Sequence, residues 1–320
     1  MFPLSVGKRG PLTNLVAMSY VVDNWSFDPV IIVMAFTVLA HEIGLARLAR
    51  RSRAASQRQR RRRSLIFYAG LVLLVIAIAS PLDYWSARYF FVHMIDHLVL
   101  AFFAPILIVA GAPWLPLQFF LPVQSRRALG KFLYLSTSAN PLRSVGRVVR
   151  SPLFAVLFFN FVMLFWHVPA VYDVGESQAF VHIWIMHTSF LVAGVLFWLQ
   201  ILPSHPIRPA RGPVWQAGAI LATNAIMTVT AMSMSILTNS SWYGVYAHVK
   251  GVSMLPFTDQ QIGAAILWVC GDFWALPMLN LVIRRAVEQE GSMSEVFDRV
   301  FRGRHEDLEI AVAPHGRRGV

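Results

Sequence analysis

The feature that most constrains this chain is a succession of seven apolar runs, at roughly 29–47, 64–82, 90–112, 152–172, 179–202, 214–238 and 261–283. A helix crossing a hydrocarbon core of about 30 Å needs about 20 predominantly apolar residues, and each run meets that length. Inside lipid every backbone amide must be satisfied within its own segment, so runs of this length read as helices. Composition points the same way, with 56% of residues hydrophobic and 14% charged, values far from those of a soluble domain. The expected fold is therefore an all-α, polytopic transmembrane bundle of about seven spans. No charged start followed by a cleavable apolar core precedes Pro29. Residues 1–28 are expected to form an extracytoplasmic segment, 29–285 the membrane domain and 286–320 a cytoplasmic tail.

Orientation follows from the basic residues between runs. "RLARRSRAASQRQRRRR" joins the first two, Arg126, Arg127, Lys131, Arg143, Arg147 and Arg150 lie between the third and fourth, and Arg208 and Arg211 between the fifth and sixth. Connections of the other parity hold only Arg88 and Lys250, while Lys8 and Arg9 disagree mildly near the start. Basic loops stay in the cytoplasm, so the amino terminus is expected outside and the carboxyl terminus inside. The net charge of +12 is accounted for by topology and attraction to anionic lipid, and implies no nucleic acid. The tail carries a short expected helix near 294–303. Trp25, Trp85, Trp114, Trp166 and Trp242 fall near span ends, as an aromatic belt would.

With that topology the histidines gather in one leaflet. His93 and His97 lie roughly 5 and 10 Å below the outer surface in the third span, and His182 and His187 roughly 5 and 12 Å down in the fifth. His167 closes the fourth. His93 and His97 are four apart and share a helix face, a spacing that lets two imidazoles reach one site. His182 and His187 are five apart, about 140° around an α-helix, so His187 is favoured over His182. Ionisable groups inside a bilayer are costly and are functional candidates by default. His41, His205 and His248 read as interfacial hydrogen-bonding groups, and His305 and His315 as surface residues.

Metal ligation is the expected role of the cluster, with His93, His97, His187, His167 and His182 as ligands and Met232 or Met234 as a thioether. Met94 and Met186 are neighbours in sequence only. Asp96, Asp259 and Gln260 are expected to orient the ligands or relay protons. Imidazole with thioether, no thiolate nearby and few carboxylates suits copper, Cu(I) ahead of Cu(II), and less distinctively zinc or haem iron. Cys270 is the only cysteine, which excludes an internal disulfide and CxxC motifs. No nucleophile with a base, phosphate-binding glycine loop or carboxylate pair stands at the right depth, and the chain is not read as an enzyme.

Four stretches in order, "HMIDHLVLAFFAPILIVAGAP" (His93 to Pro113), "FWHVPAVYD" (Phe165 to Asp173), "HIWIMHTSFLVAGVLFWLQIL" (His182 to Leu202) and "TDQQIGAAILWVCG" (Thr258 to Gly271), resemble the CtaG-type cytochrome c oxidase assembly factors. The resemblance covers about residues 29–285. It implies a metallochaperone-like part in maturing a haem-copper oxidase, by helping copper reach the oxidase on the outer side of the bacterial plasma membrane. Its matching positions are His93, His97, His167, His187, Asp259 and Gln260. Oxidase subunits or another copper chaperone are the implied partners, beside membrane lipid and, as an open alternative, a second copy of the chain. Two other readings remain. One is a membrane b-type cytochrome with His97 and His187 as axial ligands. The other is a copper permease using Asn160, Asn224, Asp272 and Asn280 in the inner half.

Overall fold

The computed structural model of the protein describes residues 24–25, 29–50, 53–247, 249 and 252–290. The expected helix near 294–303 lies outside the described residues, as do His248, Lys250, His305, His315, Lys8 and Arg9. The helices run α1 (Pro29–Ala49), α2 (Ala54–Ala79), α3 (Pro81–Ser86), α4 (Phe90–Gly111), α5 (Trp114–Phe120), α6 (Val123–Leu135), α7 (Asn140–Val149), α8 (Pro152–His167), α9 (Pro169–Ser177), α10 (Val181–Ile201), α11 (Pro213–Ser235) and α12 (Pro256–Glu290). Six of them, α1, α2, α4, α10, α11 and α12, are long and apolar enough to cross a membrane. α8 makes a seventh span if joined with the helix before it, Thr137–Val149, from which it is bent by 73°. The chain is an all-α, multi-pass membrane protein.

Three boundaries differ from the sequence expectation. α2 begins at Ala54 rather than near residue 64, so Arg58 to Arg63 form helix and not loop. Alanine, glutamine and arginine are all good helix formers, and lipid apolarity is not required for them to continue the span outward. α8 ends at His167 rather than near residue 172, because Val168 precedes a proline and is forced to extended backbone, with Pro169 then opening α9. α12 starts five residues early at Pro256, taking Asp259 and Gln260 into its first turns, and continues through Arg285 to Glu290.

The spans expose apolar side chains, such as Ile32 and Phe36 of α1, Val229 of α11 and Phe273 of α12, on the faces that meet lipid. Lipid tails are as apolar as these side chains, so helices must associate through close approach and polar pairing. The approach of α4 to α10 shows how. Pro105 has no N–H to donate one turn back, and the Ala101 carbonyl lies directly against Gly194 of α10, where an added Cβ would stand 2.3 Å from that oxygen. α8 is tied to α11 by Asn160 Nδ2 donating to Thr223 Oγ1 (3.0 Å), and to α10 by Trp166 Nε1 donating to Ser189 Oγ (2.8 Å). Trp166 is therefore a buried strut rather than a member of an interfacial belt. Trp25, by contrast, is exposed.

Candidate metal centre

One end of the bundle, where α4, α10 and α12 begin and α8 ends, collects the histidines. His93 and His97 are four residues apart in the α-helical first turns of α4, and their Nε2 atoms face each other at 2.6 Å, both rings buried. The shared face expected from the spacing is thus formed.

His182 and His187 also face each other, Nε2 to Nε2 at 2.7 Å, against the expectation that a five-residue spacing would splay them. The reason is that Val181–His187 is a π-helix. Its i→i+5 bonding widens the turn, so positions five apart come much nearer to one face than in an α-helix. A second π segment, Val99–Phe103, follows His97 in α4, with the Ala104 N–H donating to the Val99 carbonyl. Single π turns within α-helices recur at functional sites.

The two pairs meet. The His93 and His182 rings are 5.1 Å apart between centroids, and those of His97 and His187 6.4 Å. His167, from the end of α8, adds a fifth ring 6.3 Å from His97. Its Nδ1 donates to the Met163 carbonyl at 2.6 Å, which leaves the Nε2 lone pair for a ligand. A second-atom hydrogen bond of this kind is how ligating imidazoles are commonly oriented. Buried nitrogens without a hydrogen-bond partner among the described residues include Nδ1 of His97 and His187 and Nε2 of His167. Orphaned buried polar atoms are costly in a protein interior, and three in one cluster of rings are consistent with a bound cation or proton.

A carboxylate that sequence reasoning missed completes the cluster. Glu176 Oε2 lies 3.2 Å from His93 Nδ1 and 3.0 Å from His182 Nδ1. One ligand atom from each of His93, Glu176 and His182 falls within 4.8 Å of the others. The signal was present: Glu176 lies on α9, the short connection between two histidine-bearing spans, where the only other acid is Asp173, three residues and one helical turn away. Asp173 uses that turn differently, accepting from the Gly244 and Val245 amides and so holding the connection between α11 and α12 over the site.

Aromatic rings wall the cluster. Tyr172 packs on His93 (centroids 5.1 Å) and Phe190 on His97 (4.3 Å). The Tyr172 hydroxyl bonds that of Tyr246 at 2.7 Å, and Tyr246 donates to the Ser86 carbonyl. Burial, with the Glu176 carboxylate adding to it, pushes the Tyr246 phenol above its ordinary value, so the hydroxyl keeps the proton it donates.

The remaining expected residues are placed differently. Met234 is buried, its Sδ 3.3 Å from the Tyr243 hydroxyl, which also donates to the His167 carbonyl, so it touches the cluster's edge through Tyr243. Met232, two residues away on the helix, is 39% exposed and faces outward. Met94 packs against Gly263 of α12, and Met186 against Gly175 of α9. Asp96 is buried with Oδ1 unpartnered among the described residues. Asp259 accepts from the Phe90 and Phe91 amides at 2.8 and 2.9 Å, capping the start of α4 from another helix. Gln260 accepts from the Trp242 amide at 2.6 Å and donates to the Met234 carbonyl at 2.8 Å. Both thus hold the backbone around the cluster.

A family model described as cytochrome c oxidase caa3 assembly factor (CtaG) matches residues 41–289, which takes in every helix that contributes to this centre. The chain belongs to that family. The chain is also 25% identical, over 309 residues and 91% of its length, to uncharacterized proteins of Mycobacterium bovis and Mycobacterium tuberculosis. It spans 43% of the length of those curated relatives. No solved structure matches it.

Proposed function

We propose that this assembly factor holds copper, as Cu(I), in the histidine cluster at the outer face of a bacterial plasma membrane and passes it to a haem-copper oxidase subunit or to another copper chaperone. The observation that supports the reading is the gathering of five imidazoles from three helices at one end of the bundle, where His93, Glu176 and His182 each bring one ligand atom to within 4.8 Å of the others. Imidazoles with one carboxylate and no thiolate suit copper. In a buried site a monovalent ion is less costly to desolvate than a divalent one, which favours Cu(I). His182 and Glu176 keep 11% and 8% side-chain exposure while His93 keeps none, so ions enter and leave at their edge and rest deeper. The role is non-catalytic: the protein binds, shields and releases the metal. An outward-facing cluster is supported by the arginine-rich ends of the spans, which lie away from the cluster in sequence, through the positive-inside rule.

Two sequence readings fare differently against the packing. A permease path through Asp272 and Asn280 is not supported, since both lie on the exposed face of α12. The cytochrome reading is separated from the copper one by a reduced-minus-oxidised absorption spectrum, where haem bands would displace copper as the cargo. The principal test is metal analysis of purified wild type beside His97→Ala, together with assembled oxidase in the producing cell. Copper retained by wild type and lost with oxidase in the variant is expected. Normal oxidase copper in a strain carrying His93, His97 and His187 all changed to Ala would sink the proposal.

A further inference from the structure

The opposite end of the bundle carries a recess that copper handling does not use. Eighteen residues of α4 separate His93 from Gly111, roughly 27 Å at the helical rise. Beside Gly111 lies a cavity of about 130 Å³ lined by Arg60, Arg63, His41, His205, Ser56 and Gln59. A second recess shares Gln59, Arg63 and His205 and adds Arg208. Among the described residues no carboxylate lines either one.

The arginine run of α2 is divided by helical periodicity. Ser56, Gln59, Arg60, Arg63 and Ser64 recur at three- and four-residue intervals and form one face. Arg60 and Arg63 on that face are half-buried, whereas Arg58, Arg61 and Arg62 are exposed. A topology signal needs only a count of cations at the membrane surface, and it does not account for two of them being turned onto an enclosed space. The wall is also strained. Ala112 adopts φ 49° and ψ 59°, left-handed backbone that L residues rarely take, and such positions concentrate at ligand sites. After burial itself, Arg63, Arg60 and Arg208 hold the His205 imidazole below its ordinary value.

We propose that this recess binds a phosphate group, with Arg60 and Arg63 as its main ligands and Arg208 at its mouth. Guanidinium forks match phosphate oxygens bidentately, and the hydroxyl of Ser56 and amide of Gln59 supply further donors. A cavity of about 130 Å³ has room for one phosphate group. A phospholipid headgroup and inorganic phosphate both present this chemistry, and the recess lies where α2 leaves its apolar stretch.

The test uses the full chain in mild detergent, presented separately with phosphatidylglycerol, phosphatidylcholine and inorganic phosphate, with binding read by native mass spectrometry and calorimetry. Wild type is expected to bind phosphatidylglycerol or phosphate. Arg60→Gln with Arg63→Gln is expected to weaken that binding roughly tenfold or more. Arg58→Gln with Arg61→Gln removes the same charge from the outer face and should change it by less than about twofold. Retained phosphatidylglycerol that phosphate does not displace identifies a headgroup site, and phosphate binding without retained lipid identifies a free-ion site. Equal loss in the two double variants would mean unspecific charge attraction and overturn the proposal, as would binding of neither probe by wild type. Should the inner double variant not fold, Arg208→Gln, outside α2, carries the same comparison with an intermediate loss expected.

Discussion

Gly194→Ala probes the contact that sets the spacing of the histidine-bearing helices. An added Cβ would lie 2.3 Å from the Ala101 carbonyl oxygen and 2.7 Å from Pro105 Cγ, one a backbone atom and the other in a rigid ring. Non-bonded heavy atoms rest near 3.5 Å, so α4 and α10 must part by roughly 1 Å. Overpacking of this kind costs about 1–3 kcal/mol, against a gain of about 1 kcal/mol from replacing a mid-helix glycine. The net expectation is a loss of about 0–2 kcal/mol, or up to several degrees in Tm at about 2–4 °C per kcal/mol for a chain of this size. The same displacement widens the His97–His187 separation from 6.4 Å and the His93–His182 separation from 5.1 Å, so the proposed copper site is expected to retain less metal as well. Gly218→Ala is the internal control: an added Cβ there meets nothing within 4 Å, and the change should be neutral or stabilise by up to about 1 kcal/mol. Thermal unfolding in detergent by intrinsic fluorescence, with metal content of the same samples, measures both effects. A Gly194→Ala protein as stable as Gly218→Ala and with undiminished copper would refute the reasoning.

Two further substitutions test how the cluster is held. Asp259→Ala removes the acceptor of the Phe90 and Phe91 amides and should cost about 1–2 kcal/mol, seen as faster hydrogen exchange at residues 90–93, with unchanged exchange counting against the capping role. Thr223→Val leaves Asn160 Nδ2 without its partner on α11 and should destabilise by about 0.6 kcal/mol, up to about 2, with a double-mutant cycle against Asn160→Ala showing coupling of that size. A cycle showing no coupling would mean that the pair does not join α8 to α11.

The all-α membrane bundle, to within one span of the seven expected, the shared face of His93 and His97 and the family were legible in the sequence. Apolar run length, a four-residue spacing and ordered motifs are all local properties, and lipid admits few alternatives to a helix. Helix ends were less legible, because Arg58 to Arg63 extend α2 by propensity alone while Pro169 cuts α8 short by sterics. Only the tertiary structure decided which side chains meet. The π-helix that brings His182 to His187 is concealed in a run of letters read at 100° per residue. Glu176 joins the cluster because α9 folds back across the end of the bundle, and Met232 leaves it because its side of α11 faces outward. Asp259 and Gln260 are drawn to backbone amides of other segments, a use that no spacing along the chain encodes. Periodicity assigns each residue to a face of its own helix, and contact between faces is settled by how the helices pack.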